Sequence, residues 1–341
     1  MKNLYSKIFI YRQRVEMRKI FVFFLFILFV ILSFSNELTM KRGINLGNAL
    51  EAPVEGLWGA VIEESYLDLI KDAGFDTIRI PIRWSAYTSD SEPYVIEEEF
   101  FQRVDEVIGW SLKRGLTTII NVHHYYELFD NPFKEEKRFL SIWEQISKRY
   151  KDYPDLLFFE ILNEPNSCLT PDLWNILFKK AIKIIRNDCP GRYIIIDTPN
   201  WGNYKSIDYL ELPDEENLIV SFHFYEPFHF THQGTEWVDG SDKWMGKKWT
   251  GTFFQRYQID TAFKIIKKWM EEKRDIPVFL GEFGAYSSAP YDDRIVWTEY
   301  IRKKAEENNI SWAYWEFCAG FGIYDLQNEQ WDEGLLNSLI K

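Results

Sequence analysis

Two glutamates stand at the ends of apolar runs that have the composition of buried strands. Glu164 ends the run 157–164, and Glu282 ends the run 277–282. A charge at the end of a buried strand is costly unless a partner or a reaction uses it. If these two carboxyl groups meet in the fold, they form an acid/base pair of the kind that cleaves glycosidic bonds. The chemistry therefore depends on whether the elements that carry these glutamates converge.

Apolar runs of strand length alternate with segments of helical periodicity along the chain. Such runs, apolar without alternation, are typical of strands that helices cover on both faces of a parallel sheet. Eight strand–helix units in about 300 residues favour one (β/α)8 barrel, a TIM barrel, over an open doubly wound sheet. The predicted strands are 42–46, 77–81, 117–122, 157–161, 193–197, 218–222, 278–281 and 312–315.

A barrel of this class carries its active site at the C-terminal ends of its strands. Six or more of the predicted strands bring polar or aromatic side chains to that edge, which indicates a single site. The candidates are Asn48, Glu51, Arg79, His123, His124, Asn163, Glu164, His223, Tyr225, Glu282, Trp315 and Glu316.

Six short motifs occur in a fixed order along these strands. They are Arg-Ile-Pro, His-His, Asn-Glu-Pro, His-Phe-Tyr, Gly-Glu-Phe-Gly and Trp-Ala-Tyr-Trp. With these motifs the chain resembles glycoside hydrolase family 5, of the clan with catalytic glutamates on strands 4 and 7. The resemblance covers roughly residues 40–340 and is greatest to the endo-β-1,4-glucanases (cellulases) of thermophilic bacteria.

The resemblance implies a role for each glutamate. Glu164 would be the general acid/base and Glu282 the nucleophile of a retaining double displacement. That mechanism requires the two carboxyl groups to lie about 5–5.5 Å apart. The pKa of Glu164 would have to lie high for proton donation, while Glu282 stays ionised.

The resemblance also implies supporting groups around the glutamates. Arg79 would keep Glu282 ionised by its charge, and Tyr225 would donate a hydrogen bond to Glu282. Asn163 would bind the sugar 2-hydroxyl group. The remaining matches to the family's site are the histidines His123 and His223 and the aromatic platform Trp315.

These motifs give less information about the outer part of the site. Asn48, Glu51, His124 and Glu316 are expected to bind substrate hydroxyl groups, the alternative being structural polar residues at strand ends. The loop 226–237 is expected to wall the cleft, with Trp237 as its stacking residue. The alternative is a loop folded on its own aromatic cluster.

The net charge and the spacing of the histidines limit the kinds of partner and cofactor that the protein can have. The net charge is −12, and it becomes −17 without residues 1–35, which carry six positive charges and one negative. This balance argues against a nucleic-acid partner. The histidines could be read as metal ligands, but the first strand lacks the His-x-His of metal-dependent barrel hydrolases. We therefore expect neither a metal nor a cofactor. We also expect a monomer.

The first 35 residues are typical of a signal peptide. A basic start precedes the apolar run 20–32, and small residues follow at 33 and 35. Translation from Met17 would give a tighter signal. The run is short for a permanent membrane span, although an uncleaved anchor remains an alternative. We expect a secreted protein with its catalytic domain over 36–341 and no stable membrane span.

Together these features predict a secreted, endo-acting, retaining β-1,4-glucanase that degrades cellulose-type polysaccharides. The same catalytic residues would serve a β-mannanase, a glucomannanase or a xyloglucanase. A more remote alternative is a catalytically silent barrel that only binds carbohydrate. The three cysteines do not form a disulfide framework, and three buried thiols are favoured over one bridge.

Overall fold

The computed structural model describes residues 38–273 and 276–341. Eight parallel strands close into a barrel in chain order, which confirms the predicted (β/α)8 fold. The predicted signal peptide and the start at Met17 lie outside the described residues. The strands are β1 (Arg42–Asn45), β2 (Thr77–Ile80), β3 (Thr117–Asn121), β4 (Leu157–Glu160), β5 (Ile194–Asp197), β6 (Leu218–His223), β7 (Val278–Glu282) and β8 (Ser311–Tyr314).

Long helices follow most of the strands and cover the barrel. They are α1 (Glu64–Ala73), α2 (Glu98–Lys113), α3 (Pro132–Tyr150), α4 (Pro171–Asp188), α5 (Phe253–Glu272), α6 (Tyr291–Glu307) and α7 (Glu333–Ile340). After β5 the chain forms only a four-residue helical turn, Pro199–Gly202, and a 3₁₀ helix, Tyr204–Tyr209. Two short strands, β9 (Tyr324–Asp325) and β10 (Gln330–Trp331), pair antiparallel beyond β8.

Local sequence explains where these helices begin and end. The Thr170 side chain accepts the Leu173 N–H at the start of α4, with proline at the next position. Thr252 and Gln255 form a capping box at the start of α5. Gly74 ends α1 with a φ of 103°, a conformation that glycine adopts without strain.

The barrel interior is polar near the C-terminal ends of its strands. Residues paired in register across neighbouring strands supply this layer: Asn45 with Arg79, Asn121 with Glu160, and Asp197 with Ser221. All of these side chains are fully buried: Asn45, Arg79, Asn121, Glu160, Asp197 and Ser221. The strands are therefore not uniformly apolar, and this buried polar layer underlies the candidate site.

Two further observations concern the described part of the chain. Within residues 38–273 and 276–341, no helix is both long enough and apolar enough to cross a bilayer. All three cysteines are free thiols, but only Cys189 is buried. Cys168 is exposed and Cys318 is half-buried, so the expectation of three buried thiols was wrong.

A second buried arginine anchors the start of β4, the strand that leads to Glu164. Arg192 is 4% exposed, and its guanidinium donates hydrogen bonds to four backbone carbonyls. The acceptors are the carbonyls of Tyr150, Tyr153, Pro154 and Leu157, at distances of 2.5 to 3.1 Å. This one side chain ties the end of α3 to the first residue of β4.

We predict that Arg192→Met lowers the free energy of unfolding by about 3–5 kcal/mol, because it leaves buried carbonyls without donors. Urea unfolding measures the loss. Arg192→Lys keeps the charge and part of the donors, so it should fall between wild type and Arg192→Met. A loss below about 1 kcal/mol in Arg192→Met would contradict this role.

Candidate active site

The site is organised around the guanidinium of Arg79, which has no solvent exposure. Nε and Nη2 bind both carboxylate oxygens of Glu160 at 2.6 Å. Nη1 donates to Asn45 Oδ1 and to Glu282 Oε1, each at 2.8 Å. Nη2 also donates to Asn163 Oδ1 at 2.7 Å. These bonds use all five N–H donors of the guanidinium, so its orientation is fixed.

Arg79 and Glu160 form a permanent buried ion pair. Burial opposes the charge of Arg79, but the carboxylates of Glu160 and Glu282 outweigh it and raise the pKa of Arg79. Burial likewise works to raise the pKa of Glu160, and the charge and hydrogen bonds of Arg79 lower it. Glu160 holds the guanidinium from one side, and the remaining Nη1 donor is directed at Glu282.

Both oxygens of Glu282 are held by donors. Arg79 binds Oε1, and the Tyr225 hydroxyl donates to Oε2 at 2.9 Å. Burial raises the pKa of Tyr225 well above its ordinary value, so its phenol stays protonated and keeps donating. The Glu282 side chain is 7% exposed. Its position at the end of β7 is therefore set by two neighbours that the sequence had assigned to it.

Glu164 follows β4 in a different environment. Its backbone has a φ of 47°, and its N–H donates to Asp197 Oδ2 at 3.0 Å. Its carboxylate Oε1 lies 2.8 Å from His223 Nδ1. The Glu164 side chain is 27% exposed, so it can reach a ligand more freely than Glu282 can.

The two glutamates converge on one point, as the sequence predicted. One ligand atom from each of Glu164, His223 and Glu282 lies within 4.8 Å of the other two. Such a cluster has the spacing of a metal site. However, each of its side chains is already engaged in hydrogen bonds, and the Arg79 charge adjoins Glu282. We therefore interpret the cluster as a proton-transfer site.

The pKa shifts of this cluster differ from the sequence expectation. Burial works to lower the pKa of His223, but the Glu282, Asp197 and Glu164 carboxylates raise it to about 9. Burial works to raise the pKa of Glu164, but the hydrogen bond and charge of His223 lower it. Burial raises the pKa of Glu282, against the charges of His223 and Arg79. These directions favour the shared proton on His223 over Glu164.

A cleft of about 1220 Å³ opens above these residues. Most of the predicted site residues line it, whereas Arg79 lies beneath its floor. The predicted residues on its wall are Asn48, Glu51, His123, His124, Asn163, Glu164, His223, Tyr225, Trp237, Glu282 and Trp315.

Glu316 does not face the cleft, so its predicted contact with substrate hydroxyl groups is corrected. Its side chain has no exposure, and its oxygens accept the backbone N–H groups of Cys318, Ala319 and Phe321. Burial raises the pKa of Glu316 to about 7. The carboxyl group shapes the loop after β8 rather than binding sugar.

The two adjacent histidines are neutral hydrogen-bonding groups. Burial holds the pKa of His123 well below its ordinary value and lowers that of His124 to about 4. The amide of Asn121 lies 3.0 Å from His123 Nδ1, which leaves Nε2 as a donor. The His123 ring is parallel to the indole of Trp315, with centroids 5.9 Å apart.

Glu51 lies at the cleft wall with 1% exposure. Its carboxylate accepts the backbone N–H groups of Asn48 and Ala49. Burial raises the pKa of Glu51 to about 8, and the nearby Glu316 adds to the shift while the backbone donors oppose it. Glu51 therefore combines a structural role in the loop after β1 with a position at the cleft.

Aromatic side chains form the outer walls of the cleft. Trp237 is 61% exposed and meets Tyr286 edge-on at 5.4 Å. The loop 226–237 lines the cleft and also packs on itself, with Phe228 stacked on His232 at 4.0 Å. Both interpretations of this loop are therefore correct in part.

The site residues that sequence reasoning missed include Trp201, Asp197 and Trp58. Trp201 lines the cleft with 58% exposure, and Asp197 contacts Glu164. Asp197 ends β5 and Trp201 follows it, and the C-terminal end of β5 contributed no residue to the predicted site. Trp58 lines the cleft from the loop after β1. The stretch 197–201, with an aspartate and a tryptophan at a strand end, was the available signal.

A (β/α)8 barrel with two converging glutamates, one after β4 and one at the end of β7, defines a glycoside hydrolase. Residues 41–320 match the family of cellulases, glycosyl hydrolase family 5. The chain is 36% identical over 315 residues to Endoglucanase H of Acetivibrio thermocellus. The chain therefore belongs to glycosyl hydrolase family 5.

Solved structures give the same result. Thermotoga maritima Cel5A in complex with mannotriose has a TM-score of 0.87 and 49% identity, covering 89% of this chain and 98% of that one. The same protein in complex with cellobiose has a TM-score of 0.87 and 50% identity, with the same coverage. The match to Endoglucanase H covers 88% of this chain and 33% of that protein, so the chain spans about a third of its length.

We predict that Glu160→Gln lowers kcat by at least ~10-fold although Glu160 does not line the cleft. The amide cannot accept both guanidinium donors, so Arg79 and with it Glu282 lose their fixed position. The KM for polymer should stay near the wild-type value. Glu135→Gln is the matched control, because Glu135 is a buried carboxylate bonded to Tyr125 outside the cleft. Unchanged kcat in Glu160→Gln would refute this role.

The raised pKa of Glu51 should make the stability of the protein depend on pH. Its pKa is about 8 in the folded protein, against 4.5 for an unperturbed glutamate. The folded state therefore holds more protons between these values, and the contribution of Glu51 to stability falls as pH rises from 4.5 to 8. Glu51→Gln removes this dependence, so its Tm should decline less steeply with pH than that of wild type. Parallel Tm profiles of the two proteins would contradict the assignment.

Proposed function

We propose that this protein is an endo-acting, retaining β-1,4-glucanase that hydrolyses internal bonds of cellulose-type β-glucans. The observation that carries the proposal is the convergence of Glu164 and Glu282 within 4.8 Å. A retaining enzyme needs its carboxyl groups about 5–5.5 Å apart, whereas an inverting enzyme needs room for a water at about 6.5–9.5 Å. An oxygen of Glu164 lies within 4.8 Å of an oxygen of Glu282, which is closer to the first spacing than to the second and favours retention.

The two glutamates have different roles in this mechanism. Glu282, held by Arg79 and Tyr225, attacks the anomeric carbon and forms a glycosyl–enzyme ester. Glu164, which is more exposed, gives a proton to the departing glycosidic oxygen. In the second step Glu164 takes a proton from water, and that water displaces Glu282 from the sugar. Glu164 gives up a proton in the first step and regains one in the second, so it ends in its starting state.

Polymer binding is supported by the cleft walls. Trp201 and Trp237 present exposed rings at the cleft, which suits stacking on successive sugar rings. Asn163 points its carbonyl oxygen at Arg79, and this leaves its amide donor for a sugar hydroxyl group. An open cleft with rings on its walls favours attack within a chain over attack at its end.

A second candidate substrate is β-mannan or glucomannan. Thermotoga maritima Cel5A, which is similar to this chain, has been solved with mannotriose and with cellobiose. The catalytic pair Glu164 and Glu282 acts on the glycosidic bond in either backbone, so it does not by itself separate glucan from mannan. We therefore propose β-glucan as the main substrate and mannan as a second one. We also propose secretion, on the basis of the signal-like residues 1–35.

We predict that Glu282→Ala abolishes hydrolysis of a soluble β-glucan, with a loss of at least ~10⁴-fold in kcat, because no nucleophile remains. Reducing-sugar release from carboxymethyl cellulose measures the effect, and the same assay with mannan ranks the two substrates. Activity that survives in Glu282→Ala would sink the mechanism. A wild-type protein that binds β-glucan without cleaving it would instead favour the silent barrel.

For Glu164→Ala the expected result depends on the leaving group. The dinitrophenolate of a dinitrophenyl cellobioside leaves without protonation, so Glu164→Ala should slow cleavage of this substrate far less than cleavage of the polymer. For the wild-type protein, NMR should show that the first product keeps the anomeric configuration of the substrate. Equal losses on both substrates would contradict the acid role of Glu164, and an inverted first product would contradict retention.

A further inference from the structure

The last residue of β5 places a buried carboxylate beneath Glu164. Asp197 has no solvent exposure, and its Oδ2 accepts the Glu164 backbone N–H at 3.0 Å. The same oxygen lies 3.6 Å from His223 Nε2. Among the described residues, Asp197 Oδ1 and His223 Nε2 have no hydrogen-bond partner. A buried charge with so few bonds is costly, and such groups are found where a function uses them.

Asp197 holds the backbone of Glu164 in an unusual conformation. Glu164 has a φ of 47°, in the left-handed region, which costs a residue other than glycine about 1–2 kcal/mol. The hydrogen bond from the Glu164 N–H to Asp197 stabilises this conformation. Without that acceptor, the backbone can relax toward ordinary φ values and move the carboxyl group away from Glu282.

Two glycines fix the ring of His223. A Cβ atom on Gly202 would lie 2.9 Å from His223 Cγ, and one on Gly281 would lie 2.9 Å from His223 Nε2. Backbone therefore packs against both the base and the edge of the imidazole. The glycines confine the plane of the ring, and the 2.8 Å contact of Nδ1 with Glu164 Oε1 selects the orientation in which Nε2 faces Asp197.

This arrangement determines where the protons lie. A hydrogen on His223 Nε2 faces the Asp197 carboxylate, and Nδ1 then shares a second proton with Glu164 Oε1 across 2.8 Å. When that proton is on Oε1, Glu164 is a general acid beside a neutral imidazole. When it is on Nδ1, Glu164 is a carboxylate and general base beside an imidazolium. One proton moves between two atoms, and the Nε2–H does not change.

We propose that Asp197 is a positioning residue that acts through the Glu164 backbone and the His223 ring to set the conformation and the proton of the acid/base glutamate. The inference rests on the proposed function, since it assigns Glu164 that role. Asp197 itself does not line the cleft, so it acts without touching substrate.

The charges around His223 give the sign of the effect. Asp197 faces Nε2, Glu164 faces Nδ1, and Glu282 Oε2 lies 3.6 Å from Nδ1, while Arg79, Glu160 and His123 lie further away. The charge of Asp197 favours retention of the proton that His223 and Glu164 share. Burial raises the pKa of Asp197 to about 7, so the charge is present at the alkaline pH where this proton is lost. Its removal should lower the pH at which activity declines.

The test is Asp197→Asn, which keeps the size of the side chain and an oxygen that can accept the Glu164 N–H. We expect kcat/KM for soluble β-glucan to fall at least ~10-fold, and that for dinitrophenyl cellobioside to fall less than ~3-fold. We expect the alkaline limb of the β-glucan profile to move down by about one pH unit. Equal losses on the two substrates with an unmoved limb would overturn the proposal, because they indicate a merely structural residue.

Asp293→Asn is the matched control. Asp293 is 9% exposed, and its Oδ2 accepts the Trp249 backbone N–H at 3.0 Å, away from the cleft. Its substitution should leave the ratio of the two activities and the alkaline limb at wild-type values. Wild-type activity on β-glucan and its loss in Glu282→Ala test the proposed function separately. If both hold and Asp197→Asn fails, only the present inference is wrong.

A measurement on the wild-type protein keeps the test independent of whether Asp197→Asn folds. Nitrogen-15 NMR distinguishes the imidazolium from the neutral imidazole, and the His223 signal is assigned by its loss in His223→Asn. Below the alkaline limb, we expect both nitrogens of His223 to carry hydrogen, and we expect the ring to lose a proton with a midpoint at that limb. A neutral His223 throughout the active pH range would overturn the proposal, because the carboxylates around the ring would then not be holding the shared proton.

Discussion

The five N–H donors of Arg79 set the geometry on which the rest of the site depends. Inside the barrel, this one guanidinium on β2 binds groups from β1, from β4 and the segment after it, and from β7: Asn45, Glu160, Asn163 and Glu282. A planar fork with all donors occupied has no freedom to rotate. Because its charge also balances two buried carboxylates, removal of one partner leaves an uncompensated charge rather than a gap. The strands are thereby held in the register that brings Glu164 and Glu282 to one point.

The fold could be predicted from the sequence because buried parallel strands have a strong signature. Runs such as 193–197 are largely apolar, and the glycine at 74 and the threonine at 252 mark helix ends. The glutamates were recognisable because a charge closes each of two such runs. Each strand limit that differs from its predicted position does so by one residue.

What could not be predicted lies inside the strands and in the backbone. Glu160 sits within an apolar run, and only the register with Asn121 reveals that it faces the barrel interior. Nothing in the sequence distinguishes Asp197 from other aspartates. Its role depends on the left-handed φ of Glu164, which directs the Glu164 N–H at it. Glu316 has the type and position of a binding residue, yet its oxygens are taken by the loop that follows it. Sequence patterns identify strand ends, whereas the direction of a side chain depends on partners that are distant in the chain.

We propose that Glu282, held by Arg79 and Tyr225, is the nucleophile. The most direct measurement is mass spectrometry of the protein after reaction with a 2-deoxy-2-fluoro-cellobioside that carries a good leaving group, because the fluorine slows release of the covalent sugar. We predict the addition of one 2-deoxy-2-fluorocellobiosyl group, located by peptide mapping on Glu282. An adduct on Glu164, or full turnover of β-glucan with no adduct on any residue, would contradict this assignment.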